Sequence, residues 1–248
     1  MRNVRSLALA AAGLALAAAS LPAQTGTGSM QLTGVNGASG CYTSTYSSQE
    51  CVYTSPYYAQ FSGLSPAANA ALLPPSGGQW DIFCVDFYHN AYIGQSSTVY
   101  LTNLGQAASN LSWLGTYTRN KTLNDYLEAA WLSQKILAVG PNTALAKDMN
   151  GAIWQIMAQQ TYAGDQFTWT GSSYGNVKAW ADSAAKYVNT VNASNWVVVT
   201  PQGESTGSIG NSQEFLTQVT PEPATLLLLG TGLVAMMLAA GVIRRPMA

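Results

Sequence analysis

Apolar residues change their spacing along the chain, and each spacing points to a different element. Trp80 to Tyr88 (WDIFCVDFY) alternates with the period of two well enough for a core strand, and Ser97 to Leu104 (STVYLTNL) is the next strand candidate. From Thr122 the period lengthens to that of a helix. Thr122-Leu-Asn-Asp125 opens like a capping box, apolar residues recur at Leu123, Tyr126, Leu127, Ala130, Trp131 and Leu137, and Gly140-Pro141 ends the run. A second helix is expected from about Thr143 to Gln159, with Leu145, Met149, Ala152, Ile153 and Ile156 on one face. A third is expected from about Asn176 to Val191. Strands return at Trp196 to Thr200 and Glu214 to Val219, so the order is strands, helices, strands, which is the α+β class with a central group of three helices.

Two further apolar runs lie at the ends and belong to targeting rather than to the core. Leu7 to Ala19 is an Ala/Leu run behind Arg2 and Arg5, followed by the small-residue site Leu21-Pro22-Ala23, the layout of a signal peptide over residues 1–23. Signal peptidase and the export machinery are therefore expected partners. Residues 24–219 remain as one exported domain, long enough for its own core. At the other end, residues 224–243 carry no charge and span about 30 Å as a helix, the thickness of a bilayer core. Arg244 and Arg245 would hold that end in the cytoplasm and leave the domain outside.

Composition narrows the function. Residues 24–219 hold six basic and ten acidic residues, a net charge of −4, so no basic patch for nucleic acid or anionic lipid is expected. Ser, Thr, Asn, Gly and Tyr take the place of charge, which suits a matrix or adhesive module. Residues 24–40, rich in Gly, Ser and Thr, read as a flexible lead-in or a weak first strand. Next come two similar stretches, Cys41 to Tyr46 and Cys51 to Tyr57, separated by a polar turn. They read as a hairpin or surface loop closed by a Cys41–Cys51 disulfide, which would stabilise by roughly 3 kcal/mol. Cys84 is then left over.

Pro221-Glu222-Pro223 directly precedes the apolar tail. Each proline keeps the residue before it extended and donates no backbone hydrogen bond, which leaves an accessible strip at the membrane face for a peptidase. With Val219-Thr220-Pro221-Glu222-Pro223-Ala224-Thr225, a Leu-rich span containing Gly230-Thr-Gly232, and Arg244-Arg245, residues 220–248 closely resemble the PEP-CTERM sorting signal of bacterial surface proteins. The resemblance implies recognition by an exosortase, a membrane peptidase, and removal or transfer of the tail with delivery to the cell surface or matrix. It also implies a link to exopolysaccharide and biofilm.

A second resemblance concerns Phe83-Cys84-Val85-Asp86 and Asn150-Gly-Ala-Ile-Trp154, which follows a helix bearing Ala129-Ala-Trp131. Together these resemble the thioester domains of bacterial surface adhesins, in which an aromatic-Cys-apolar strand meets a Gln-x-x-Ile-Trp helix. There the Cys sulfur and the Gln side-chain carbonyl form an internal thioester that surface amines open. The resemblance places Cys84 as the thioester cysteine and Asn150 at the glutamine position. Asn150 is one methylene shorter, so the sulfur would have to come closer to the helix. The other readings of Cys84 are an inert buried thiol behaving as a small hydrophobe, or a disulfide partner.

Enzyme chemistry finds little support. The only histidine, His89, precedes the G-x-S-x-G stretch Gly171-Ser-Ser-Tyr-Gly175, whereas the hydrolase order needs a histidine after the serine. Cys and His are not clustered as zinc needs, and no cofactor fingerprint is present. A glycosidase carboxylate pair drawn from Asp81, Asp86, Asp125, Glu128, Asp148 and Asp165, with Asp86 and Glu128 foremost, is the alternative. The sequence reading is a non-enzymatic, exported adhesive or structural module with exopolysaccharide or surface amines as partners.

Overall fold

The computed structural model describes residues 26–44, 49–66, 68, 78–87, 90–107, 122–158, 166–202 and 213–219. The expected leader and tail helix fall outside these residues, as do Asp165 and His89. Among the described residues no helix is long and apolar enough to cross a membrane.

Six antiparallel strands close into a barrel in the order β1-β4-β5-β9-β8-β6. They are β1 (Gly26–Val35), β4 (Tyr57–Ser62), β5 (Trp80–Cys84), β6 (Ser96–Asn103), β8 (Trp196–Pro201) and β9 (Phe215–Gln218). Residues paired across an antiparallel ladder share a face. The registers Leu32↔Ala59, Tyr57↔Ile82, Cys84↔Phe215, Val199↔Phe215 and Leu101↔Val199 therefore define one common face, and all of these side chains are buried. That face is the barrel interior, which a small barrel fills with side chains. Cys84 points into it at the end of β5. The opposite face is solvated at Gln31↔Gln60 but buried at Phe83↔Leu216↔Val198.

The helical layer supplies that cover. Glu214, buried immediately before β9, accepts hydrogen bonds from Thr200 on β8 and from Tyr126 on the helix α2 (Leu123–Val139). Before α2 comes a single turn, α1 (Leu104–Ala107); after it come α3 (Ala144–Ala158) and α4 (Tyr174–Tyr187). Thr122 and Asp125 make both bonds of the capping box, and Gly140 ends α2 with a φ of 90°. In α3, twelve of fifteen residues are buried, so this helix is packed nearly all round instead of on one stripe. Leu145, expected on the buried stripe, is 49% exposed because it stands in the first turn at the rim. The third helix starts earlier than expected, at Tyr174, and gives way to a 3₁₀ turn at Val188–Thr190.

A small second sheet, β3-β2-β7, consists of β2 (Ser39–Thr43), β3 (Glu50–Tyr53) and β7 (Thr168–Trp169). Cys41 and Cys51 stand directly opposite each other in β2 and β3 and are disulfide-bonded. The Gly/Ser/Thr-rich stretch read as a flexible lead-in or a weak first strand holds a ten-residue barrel strand, β1, paired on both sides.

Candidate functional site

Cys84 ends β5 and is fully buried and unbonded to another cysteine. Its backbone N–H donates to Ser55 Oγ at 2.8 Å. The Ser55 N–H in turn donates to Asn150 Oδ1 at 3.0 Å. One residue thus joins the end of a barrel strand to the middle of α3.

Ser55 is held firmly. Thr54 N–H donates to Ala38 O at 2.9 Å, and the N–H groups of Asn36 and Gly37 donate to Pro56 O at 2.9 and 3.0 Å. The approach is so close that a Cβ on Gly37 would lie 1.8 Å from the Thr54 carbonyl oxygen, so only glycine fits there. The strand-to-helix bridge is therefore built from backbone geometry that a tight glycine turn makes accessible.

Asn150 and Trp154 lie one helical turn apart on α3 and face the same side. Asn150 Nδ2 and Trp154 Nε1 are both buried and make no hydrogen bond among the described residues. Buried polar groups are almost always paired; among the described residues these two share the unpaired state with Asp81 Oδ1 and the indoles of Trp169 and Trp196. Burial pushes the Cys84 thiol up to about 12, and the charge of Asp86 adds to the effect. The thiol donates to the Asp86 carbonyl at 3.2 Å, whereas a backbone hydrogen bond from Asp86 and the Trp154 indole act in the opposite direction and favour the thiolate. The indole N–H is close enough to favour the thiolate without forming a full hydrogen bond. At neutral pH the sulfur is a thiol, and its residue is linked through the backbone N–H and Ser55 to the Asn150 carbonyl.

Tyr42 and Tyr57 stand near the same sulfur, and burial raises both phenols above their ordinary value. The Tyr42 ring meets Phe87 and Trp154 edge-on, with centroids 5.3 and 5.6 Å away. These residues line a cavity of about 380 Å³ whose walls also include Glu50, Tyr53 and Tyr92. The Tyr42 hydroxyl donates to Glu50 at 2.6 Å, and Cys51 brings the disulfide to the cavity edge.

Of the acids named from the sequence, Asp86 is buried two residues beyond Cys84, and Glu128 stands on α2 and is half-buried. Asp125 caps α2. Asp148 accepts from Ser172 and from Asn176 Nδ2, tying the loop before α4 to α3. Ser173, the central serine of the G-x-S-x-G stretch, caps α4 by accepting from Asn176 N–H. Asp81 is half-buried with Oδ1 lacking a partner among the described residues, and burial raises its carboxyl above the usual range. Among the described residues no His, Cys, Asp and Glu group could hold a metal. Ser55, Glu50 and Glu214 were not singled out from the sequence. Ser55 carried no signal beyond a Thr-Ser-Pro turn, and Glu214 only that of a lone acid entering an apolar strand.

The profile of the PEP-CTERM protein-sorting motif matches residues 219–245. No curated protein and no solved structure matches the chain.

Proposed function

From a chain that carries the PEP-CTERM sorting motif, and so is exported and directed to an exosortase for surface or extracellular delivery, we propose a non-enzymatic adhesive module of the cell surface or matrix. One observation carries this reading: Ser55 brings Cys84 on a barrel strand and Asn150 on α3 to a common point. That is the strand-and-helix meeting that the resemblance to thioester adhesin domains implies. The aromatic cavity beside it gives the module a place to hold a matrix component. On this reading residues 224–243 cross the membrane until the exosortase acts near Pro221, and the domain then remains outside with exopolysaccharide.

Asn150 favours a second, covalent reading. Its carbonyl is polarised by the Ser55 N–H, and its NH₂, the group that would depart, has no partner among the described residues. Attack by Cys84 Sγ on Asn150 Cγ forms the S–C bond, breaks the C–N bond and releases ammonia with the thiol proton. The closed thioester is then open to a surface amine.

Intact-mass measurement of protein extracted from the host surface tests both readings. The expected species lacks residues 1–23 and ends near Pro221; a chain retaining Arg244 overturns tail processing. A mass lower by one ammonia, with Cys84 refractory to alkylation after unfolding, supports the thioester. An unshifted mass with an alkylatable Cys84 leaves the module non-covalent. Cells carrying the chain should retain more extracellular matrix than cells lacking it, and equal retention overturns the adhesive role.

A further inference from the structure

The rim of the cavity beside Cys84 is where apolar surface is left open. Tyr53 is 49% exposed, Tyr92 60% and Ile93 56%, and all three line the same cavity. Exposed aromatic surface gathered at a cavity mouth is costly unless something covers it. The rim is also rigid. Tyr53 closes β3, whose partner strand is crosslinked to it through Cys41–Cys51. Tyr92 belongs to a turn fixed by Tyr92 N–H to Gln95 Oε1, Gln95 N–H to Tyr92 O and Gly94 N–H to Leu32 O, at 3.1, 3.0 and 2.7 Å. A preorganised rim loses little entropy when it binds.

The lining selects the ligand's charge. Glu50 is the only charged residue among the described lining residues, which include no Lys or Arg to attract an anion. Glu50 already accepts the Tyr42 hydroxyl. The floor rings meet one another edge-on, at 72° for Tyr42 with Phe87 and 64° for Tyr42 with Trp154. Their negative faces are thus partly taken up by neighbouring ring edges and do not together surround a cation. What remains is aromatic surface beside uncharged hydrogen-bonding residues, the amides of Asn90 and Gln213. A sugar ring offers the matching chemistry, with apolar C–H faces for the rings and hydroxyls for the amides and for Glu50. A volume of about 380 Å³ lies at the small end of the range for ligand pockets, which suits a short stretch of glycan.

We propose that this cavity binds a neutral saccharide, with Tyr53 and Tyr92 as its stacking rim and Glu50, Asn90 and Gln213 as its hydrogen-bonding edge. The proposal rests on the adhesive reading and names its ligand class.

The full chain, extracted in detergent, is titrated calorimetrically with cello-, laminari- and malto-oligosaccharides, with oligogalacturonate as the anionic probe and with chitosan oligomers and butylammonium as cationic ones. At least one neutral series should bind, and Tyr53→Ala and Tyr92→Ala should each weaken it about tenfold or more. Tyr92→Phe should bind like the parent. Both tyrosines are exposed, so these variants should keep the parent's melting temperature. Binding of no neutral glycan, preference for a charged probe, or affinity unchanged by both alanine variants would each overturn the proposal. Matrix retention by cells separates this failure from that of the adhesive role: retention above the level of deleted cells with no glycan binding removes only the saccharide site.

Discussion

Ser55 uses both of its polar groups, its Oγ toward Cys84 N–H and its N–H toward Asn150 Oδ1. Replacing it with alanine removes only the oxygen and leaves the Cys84 N–H buried without an acceptor. The expected cost is about 1–3 kcal/mol, read as a lower urea midpoint for Ser55→Ala at unchanged slope. A midpoint equal to the parent's would mean that Ser55 does not hold the two elements together. Neighbouring residues show how differently single positions could be read from sequence. Cys84 stood out as the third cysteine on an apolar strand. Ser55 did not, because its importance comes from a turn at Asn36–Gly37 that only folding brings against it.

Among the elements, α3 is the one on which the others converge. It presents Asn150 to the barrel, Asp148 to the loop before α4 and Gln155 Oε1 to Phe167 N–H, so its buried polar residues are spent on joining layers. Gly151 lets it lie close to its neighbours: a Cβ there would stand 2.8 Å from Trp169 Nε1 and 3.2 Å from Val177 Cγ2. Alanine improves helix propensity by about 1 kcal/mol over glycine, yet overpacking a filled site costs about 1–3 kcal/mol. Gly151→Ala should therefore lower the melting temperature, and a rise would show that Trp169 gives way freely. Helices were legible because their apolar period and caps are local. Strand β1 was legible only as one of two alternatives, because its inward positions begin with Gly26 and Gly28, which carry no hydrophobic signal although they are buried.

For the whole molecule, pH reports how tightly the aromatic and cysteine region is closed. Burial holds Cys84 up to about 12 from 9.0, and it holds Tyr42 and Tyr57 above their ordinary 10.0. The folded chain therefore keeps protons that the unfolded chain releases, so stability from these groups is intact below the unfolded values and falls as pH rises through them. The melting temperature should begin to drop near pH 9 and fall faster above 10, and Cys84→Ala should flatten the first part of the decline. A melting temperature constant through this range would contradict the closed site.

The sequence by itself determined the destination and the local elements. A sorting signal is read by an enzyme as a linear string, so the PEP-CTERM motif at residues 219–245 needs no fold to be recognised. Helix periods and the Thr122 cap are likewise set by residues a few positions apart. Tertiary structure alone decided that the six strands close into a barrel, that Ser55 links Cys84 to Asn150, and that Tyr53 and Tyr92 share a cavity rim. Each of these depends on long-range register and packing, in which residues distant in sequence meet because burying their common apolar face leaves them no other arrangement.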